Sequence, residues 1–413
     1  MNGPPKFAPL RSLDDALAEL LAAVSPLEGT QSTSTFNADR RVLAQDLVSQ
    51  INVPGFDNSS MDGYALRRAD CLEAGAVLRV AQRIPAGHFG QMLHTGEAAR
   101  IFTGAPIPPG ADAVVMQEDC TDLGNDTVRV NTAPSPAQWL RRAGEDIAQG
   151  SIVLPKGELL TPASLGLAAS IGLKDLLVTR KARVALFSTG DELVMPGDVA
   201  PKALPPGAIY NSNRFFLRAL LLRAGCEVTD LGIVPDNRAA TLAALQTAAA
   251  QHDLILTSGG VSVGEEDHIK PAVQQLGALD LWSISMKPGK PFAYGRIGAS
   301  HFVGLPGNPV SSFVTFLLLV RPLLAKLHGQ RGVQGAPVTI AANAHFNWPR
   351  ADKRREFIRA KRNAAGGLDL YPNQSSGVLT SAVWADGLVD NPAGATIAHG
   401  DVVRFIPFTE LLT

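Results

Sequence analysis

Residues 254–267 read Leu254-Ile-Leu-Thr-Ser-Gly-Gly-Val-Ser-Val-Gly-Glu-Glu-Asp267, an apolar run that turns into a loop of glycines and acids. The run is short enough for one buried strand, and the Ala-rich segment Arg238 to Gln251 before it favours a helix. A buried strand next to a helix is typical of a parallel α/β sheet, where ligands bind at the carboxyl ends of the strands.

The same alternation continues on both sides of this run. Further strands are predicted at 183–187, 227–231, 281–284 and 301–305, and further helices at 212–224 and 309–327. This pattern predicts a mostly parallel sheet with helices on both faces.

The segments on either side of this α/β region have a different sequence pattern. Residues 51–140 contain short β-like runs between Gly, Pro and Asp, with no helix signal of useful length, which predicts an all-β unit. Residues 336–413, including the run 377–380, return to short alternating runs and predict a small β-barrel or sandwich. Ser12 with Asp15 resembles a capping box for a first helix, and Thr161-Pro162 marks the start of a second.

Composition excludes several classes of protein. The 413 residues carry a net charge of −1, so no global charge drives binding to nucleic acid or to an anionic membrane. Hydrophobic residues make up 46%, which excludes disorder over most of the chain. The three cysteines form no C-x-x-C pair, which argues against a cysteine-based zinc site. The longest apolar run has eight residues, whereas a membrane-spanning helix needs ~20. We therefore expect a soluble, cytoplasmic protein.

Three strand ends carry unusual sets of residues, at 188–192, 257–267 and 304–309. Gly259 and Gly260 let the backbone approach a ligand closely, and the nearby acids suit Mg²⁺ bridged to a phosphate or oxyanion. Two other interpretations stay open: the loop is only a Gly-rich turn with solvated acids, and Asp236 only caps the helix from residue 238.

Cations form a second set of candidates. Lys287 and Lys290 lie in a Lys-Pro-Gly-Lys-Pro turn, which is either a surface turn or a pair of anion-binding cations. The segment 350–362 is locally +5 and is either a solvated strand face or a pocket wall for phosphates. Asn308 and the N-terminus of the helix that follows it either face a bound anion, or Asn308 only caps that helix.

Seven motifs in order resemble the MoeA family of molybdopterin molybdenumtransferases and the E domains of gephyrin. They are Asn58-Ser-Ser-Met-Asp-Gly-Tyr-Ala65, residues 102–112, Arg142-Ala-Gly-Glu-Asp-Ile147, Ser188-Thr-Gly-Asp-Glu-Leu193, Ser258-Gly-Gly-Val-Ser-Val-Gly264, Lys287-Pro-Gly-Lys-Pro291 and Gly304-Leu-Pro-Gly-Asn-Pro309. The resemblance implies four domains: a linker and dimerisation domain (1–50 and 141–180), an elongated β domain (51–140), a MogA-like α/β molybdopterin-binding domain (181–329) and a C-terminal β-barrel (330–413).

The resemblance also implies an activity, the insertion of molybdate into adenylylated molybdopterin with release of AMP and dependence on a divalent cation, usually Mg²⁺. It implies a homodimer whose cleft is shared between subunits, with a MogA-like adenylyltransferase and molybdoenzyme maturation proteins as candidate partners. Two alternatives stay open, a MogA-type adenylyltransferase and a gephyrin-like scaffold.

The predicted site follows from the motifs and from the residue chemistry. The catalytic candidates are Asp62, Thr103, Glu192, Asp236 and Asp267, of which Glu192, Asp236 and Asp267 are the expected metal ligands. The substrate-binding candidates are Gly259, Gly260, Ser262, Lys287, Lys290, Pro306, Asn308, Pro309, Arg354 and Arg355. Ser283 stands where relatives have a lysine, which predicts a larger role for Lys287.

Overall fold

The computed structural model describes residues 10–260, 268–333 and 335–412. The chain divides into two compact units. The first comprises the described residues of 1–31, 40–42 and 178–413, and the second comprises residues 32–39 and 43–177. The four-domain boundaries drawn from the sequence are finer than this division and stay predictions.

A six-stranded sheet forms the centre of the first unit. Its strands are β1 (Arg183–Thr189), β2 (Glu227–Val234), β3 (Leu254–Ser258), β4 (Ala278–Ser283), β5 (Pro291–Ile297) and β6 (Ser300–Leu305). Their order across the sheet is β2-β1-β3-β6-β5-β4. The first four are mutually parallel, and β5 and β4 are antiparallel to their neighbours. The predicted mostly parallel sheet is confirmed.

Helices pack on both faces of this sheet. Successive side chains along a strand point to opposite faces, so each buried strand contributes apolar side chains to two cores. Val184 and Leu186 of β1 belong to one core cluster, with residues of the helices Asn213–Arg223 and Pro309–Thr315. Ala185 and Phe187 belong to a second cluster, with residues of the helices Arg238–Gln251 and Ile269–Leu276. Apolar side chains on both faces of each buried strand therefore hold the domain together.

Local signals set where these helices begin. The side chain of Asn237 accepts a hydrogen bond from the Ala240 N–H at 2.9 Å, so Asn237 caps the helix Arg238–Gln251. Asp236 is therefore not the cap. The long helix begins with Pro309 in its first turn, runs through a π-turn at Phe316–Val320 and ends with Arg321–Leu327.

This long helix, Pro309–Leu327, is apolar enough to span a membrane by length and composition, and 78% of its most apolar window is buried. Its leucines belong to the core cluster of the first unit, which is the ordinary environment of a core helix. The helix Leu13–Ala22 belongs to the same cluster, and its predicted cap, Ser12, accepts a hydrogen bond from the Asp15 N–H.

Short elements lie between β1 and the helix at 213. They are the strands Leu193–Val194 and Ile209–Tyr210, which pair in parallel, and a 3₁₀ turn at Pro201–Ala203.

The C-terminal part of the first unit is a closed five-stranded barrel. Its strands are Ile340–Ala344, Arg355–Arg362, Gly367–Leu370, Gly387–Asn391 and Val402–Pro407. The barrel closes because Arg355–Arg362 pairs with both Gly367–Leu370 and Gly387–Asn391. The short strand Met286–Lys287 adds to it in parallel.

One expectation for the barrel was wrong. The run 377–380, predicted as β-like, leads into the helix Leu379–Trp384, and a second helix, Thr409–Leu412, follows the last strand. A run of four residues is too short to distinguish a period of 2 from one of 3.6. Buried Ser381 of this helix accepts a hydrogen bond from Arg359 of a barrel strand, a tertiary contact that the sequence pattern does not display.

The second unit is mainly β-structure, as predicted. Its six-stranded sheet has the order Ala113–Met116, Gly63–Leu66, Glu97–Ile101, Ala76–Ile84, Thr127–Val130, Cys120–Gly124. Two-residue and three-residue strands pair as Asn58–Ser59 with Leu140–Arg141 and as Leu47–Val48 with Ile152–Leu154. Thr161 caps the helix Pro162–Ser170, and 3₁₀ turns occupy Thr35–Asn37, Arg68–Asp70 and Gln117–Asp119. The strands Thr30–Ser34 and Asp175–Thr179 lie where the chain passes from one unit to the other.

Candidate active site

The carboxyl ends of four adjacent parallel strands surround a cavity of about 810 Å³ in the first unit. β2 is followed by Asp236, β1 by Glu192, β3 by Gly259 and Gly260, and β6 by the turn 306–309. The described lining residues are Thr189, Gly190, Glu192, Leu193, Ile209, Tyr210, Asn211, Ser212, Asn213, Asp236, Ser258, Gly259, Gly260, Pro291, Pro306, Gly307, Asn308, Pro309 and Gly377. Seven of the residues predicted from sequence are thus brought together: Glu192, Asp236, Gly259, Gly260, Pro306, Asn308 and Pro309.

The charge of this lining is negative. Glu192 and Asp236 are its two ionisable acids, and none of its described residues is Lys, Arg or His. A phosphate-bearing or oxyanionic ligand entering this cavity therefore needs positive charge from another source, such as a divalent cation bound between the ligand and the carboxylates. Within the described ranges, no three His, Cys, Asp or Glu side chains form a group that could hold a metal ion by themselves.

The two glycines after β3 are required by the geometry of this loop. Gly259 and Gly260 have φ of +95° and +65°, in the left-handed region. A Cβ on Gly259 would lie 2.9 Å from the Thr189 carbonyl oxygen, and one on Gly260 would lie 2.5 Å from the Ile269 Cγ1. Side chains are therefore excluded here, and the backbone itself forms this part of the cavity wall.

Two asparagines of the cavity were missed by the sequence analysis. The Asn213 Nδ2 donates to the Ser258 Oγ at 2.8 Å and to the Gly307 carbonyl oxygen at 2.7 Å, and so joins the end of β3 to the loop after β6. Asn211 is 2% exposed and lines the same cavity. In the sequence they form the stretch Asn211-Ser-Asn213, at the junction of a two-residue strand and a helix. Three residues are too few for hydrophobic periodicity to indicate a structure.

Three of the predicted cations meet elsewhere in the first unit, around Asp352. Lys290 and Arg354 line a second cavity of about 470 Å³ with Asp352, and the lining residues of the two cavities do not overlap. The Lys287 Nζ lies 3.1 Å from the Asp352 Oδ2 and 3.0 Å from the Glu356 Oε1. Lys287, Lys290 and Arg354 therefore lie around Asp352, and none of them is among the lining residues of the acid-lined cavity.

Two of these three cations, Lys287 and Arg354, are paired with carboxylates. The Arg354 guanidinium, which hydrogen-bonds both Asp352 oxygens, holds the pKa of that carboxyl well below its usual range. Burial opposes the charge of Lys287, but the hydrogen bonds to Glu356 and Asp352 raise its pKa overall. The Glu356 side chain is only 3% exposed and also accepts from the Trp348 Nε1 at 2.8 Å. The Lys287 ammonium thus satisfies a buried carboxylate of the barrel.

Arg355 lies at neither cavity described above. Its guanidinium forms a two-bond contact with Asp390 at 2.6 and 2.7 Å and a third hydrogen bond to Asp14 at 2.9 Å. The Asp390 side chain is 1% exposed, so this pair holds a barrel strand in place.

Asp62 and Thr103, in the second unit, are in direct contact. Asp62 precedes the strand Gly63–Leu66 and Thr103 follows Glu97–Ile101, and the antiparallel pairing of Gly63 with Ile101 brings the two loops together. The Asp62 Oδ1 accepts from both the Thr103 backbone N–H and the Thr103 Oγ1 at 2.8 Å. These hydrogen bonds, the backbone one first, lower the pKa of Asp62. Asp62 is therefore a carboxylate held in one orientation.

Two predicted residues, Ser262 and Asp267, lie outside the described residues. Their roles, and those of the other site residues, stay predictions.

Comparison with known families covers most of the chain in three parts. Residues 11–172 match the MoeA N-terminal region (domain I and II), residues 185–326 match a probable molybdopterin binding domain, and residues 341–408 match the MoeA C-terminal region (domain IV). The second match contains the whole acid-lined cavity except for Gly377.

Relatives match over nearly the whole chain. The molybdopterin molybdenumtransferase of Haemophilus influenzae is 41% identical over 410 residues, which cover 97% of this chain and 99% of the relative. Molybdopterin molybdenumtransferase 2 of Mycobacterium tuberculosis is 38% identical, with 96% of each chain covered. The crystal structure of the molybdopterin biosynthesis moeA protein from Pyrococcus horikoshii superposes with a TM-score of 0.85 at 28% identity, covering 96% of this chain and 99% of that chain. The predicted family and fold class are confirmed, and the chain belongs to the MoeA family of molybdopterin molybdenumtransferases.

Proposed function

We propose that this protein is a molybdenum insertase, which inserts molybdate into adenylylated molybdopterin, releases AMP and depends on Mg²⁺. The observation that carries the proposal is the acid-lined cavity at the carboxyl ends of β2, β1, β3 and β6, in the segment that matches a probable molybdopterin binding domain. Its 810 Å³ is ample for a substrate of this size. The name of the full-length relatives, molybdopterin molybdenumtransferase, supports the molybdenum-transfer part of this reaction.

The donor set fits a magnesium ion that is completed by substrate. Mg²⁺ in phosphoryl-transfer sites is held by one or two carboxylates plus substrate phosphates, and the described lining offers two carboxylates, Glu192 and Asp236, with no competing cation. When bound, the ion would supply neutralising charge to the phosphoanhydride of the substrate. Asp267, predicted from the sequence as a third ligand, would complete this set.

The chain's own groups have separate tasks in this reaction. The backbone at Gly259 and Gly260 makes a close wall for the substrate, and Asn213 holds the end of β3 and the loop after β6 at a constant spacing. Glu192 and Asp236 would hold the cation, which would supply positive charge to the anhydride. Lys287 and Lys290 would attract the molybdate dianion to the second cavity, although Lys287 shares its charge with Glu356 and Asp352.

Purified protein mixed with adenylylated molybdopterin and molybdate tests the proposal by the amount of AMP released. We expect AMP to appear only with molybdate present, to stop with EDTA and to return with Mg²⁺. The variants Glu192→Gln and Asp236→Asn should each lose at least tenfold in rate. Asp191→Asn is the matched control, since this exposed acid adjoins Glu192 but does not line the cavity.

The alternative is a MogA-type adenylyltransferase. It predicts that ATP and molybdopterin give adenylylated molybdopterin without any need for molybdate. The flanking β regions, which match the MoeA N-terminal and C-terminal regions, favour the insertase. Formation of the adenylylated product with no molybdate-dependent AMP release would overturn our proposal.

We also propose a cytoplasmic homodimer in which Asp62 of one subunit and Glu192 of the other serve one cleft. Mixing Asp62→Ala subunits with Glu192→Ala subunits should then recover part of the activity, because one cleft in each mixed dimer keeps both residues. No recovery in verified mixed dimers would refute the shared cleft.

Pull-down with a MogA-like adenylyltransferase tests the candidate partner.

A further inference from the structure

We propose that Asn211 is a substrate-recognition residue, whose side-chain Nδ2 donates a hydrogen bond to an acceptor atom of the molybdopterin part of the substrate. This inference rests on the proposed function and goes beyond it, because none of the sequence motifs assigns a role to Asn211. Its basis is a buried donor that no described residue of the chain satisfies.

The Asn211 side chain is 2% exposed, and its Nδ2 has no hydrogen-bond partner within the described part of the chain. A buried amide N–H₂ without a partner is destabilising, so such groups in folded proteins normally have a bound water or ligand as partner. Seven described residues contain an unpaired buried polar side-chain atom, and Asn211 is the one among them that lines the acid-lined cavity.

The neighbours of Asn211 fix its orientation. Its backbone N–H donates to the Val194 carbonyl oxygen at 2.9 Å, which extends the short parallel pair of strands. Its Oδ1 accepts from the Arg214 N–H at 3.3 Å, at the start of the helix Asn213–Arg223. With the oxygen held by the helix, the NH₂ end of the amide is the group left for a ligand.

The chemistry of the cavity indicates which ligand atom it would take. Glu192 and Asp236 are the two carboxylates of the described lining, so Asn211 provides a neutral donor beside two acids. A donor selects a carbonyl oxygen, an aromatic ring nitrogen or a phosphate oxygen, all of which molybdopterin carries. AMP carries ring nitrogens and phosphate oxygens too, so the experiment has separate arms for molybdopterin and AMP. The segment that contains Asn211 matches a probable molybdopterin binding domain, and we therefore assign the contact to molybdopterin.

The test compares Asn211→Asp and Asn211→Ala with the wild type, by titration calorimetry with molybdopterin and, separately, with AMP. Asp keeps an oxygen to accept from the Arg214 N–H but removes the donor and adds a negative charge, so Asn211→Ala, which adds no charge, is the variant that isolates the loss of the donor. We expect Asn211→Asp to bind molybdopterin at least tenfold more weakly, in a protein whose folded state is verified by circular dichroism. Asn211→Ala should weaken binding similarly, and AMP binding should stay within twofold in Asn211→Ala.

The matched control is Asn237→Asp. Asn237 also holds a helix start through its side-chain oxygen and does not line the cavity, so the same chemical change there should leave molybdopterin binding within twofold. Wild-type binding in both Asn211 variants, or a loss confined to AMP, would overturn the assignment. If the wild type itself binds no molybdopterin and releases no AMP, the proposed function has failed; if the wild type does both and the variants match it, this inference alone has failed.

Discussion

Lowering the pH should destabilise the first unit through His328, a buried ring that the fold keeps neutral. The His328 Nε2 accepts a hydrogen bond from the Ala182 N–H at 3.1 Å, next to the start of β1. A protonated ring could not accept this bond. Burial, the largest cause, lowers the pKa of His328 from 6.5 to about 4.

The sign follows from the two states. Between pH 6.5 and pH 4 the unfolded chain binds a proton at this ring and the folded chain does not, so the free energy of unfolding falls as the pH falls. The full effect is about 3 kcal/mol, since one pKa unit corresponds to about 1.4 kcal/mol. At pH 5 the free energy of unfolding has already fallen by about 2 kcal/mol. His301, whose pKa burial also lowers to about 4, acts in the same direction.

The variant His328→Gln isolates the effect, because its amide oxygen can accept from Ala182 but does not titrate. Urea unfolding of the wild type and the variant, at pH 7.5 and pH 5.0, gives two differences in unfolding free energy. We expect the variant to gain about 2 kcal/mol relative to the wild type at the lower pH. The exposed His88→Gln is the control and should follow the wild type. Equal pH dependence of wild type and His328→Gln would refute the reasoning.

Three further predictions concern the site residues. Lys287→Ala should lower the free energy of unfolding by about 1–3 kcal/mol, because buried Glu356 loses its cation; an unchanged melting temperature would show that the ion pair contributes no stability. Asp62→Asn keeps an acceptor for both Thr103 donors, so the circular dichroism spectrum and the melting temperature should stay as in the wild type. The rate of AMP release should fall at least tenfold, and an unaffected rate would argue against a catalytic Asp62. Asn213→Ala removes two hydrogen bonds between cavity-lining residues and should raise the KM for adenylylated molybdopterin, which an unchanged KM contradicts.

The sequence by itself determined the α/β class of the central domain and predicted the strand ends that border the acid-lined cavity. Helix Arg238–Gln251 has the predicted limits, and the runs at 183–187 and 254–256 lie inside β1 and β3. These features depend on periodicity and capping within a few residues, which a single sequence displays directly. The ordered motifs identified the family for a different reason, since each combines turn formers and polar residues at a set spacing.

Tertiary structure decided which of those residues meet. Asp236, Glu192, Gly259 and Pro306 come together because the sheet order β2-β1-β3-β6 places distant parts of the chain side by side. Lys287 meets a carboxylate 69 residues further along the chain, and Arg355 meets Asp390, so both cations hold the barrel. Asn211 was beyond sequence analysis because an unpaired donor is defined only once its neighbours are folded around it. Non-local pairing, which leaves no periodic trace in the sequence, therefore decided the composition of the cavity.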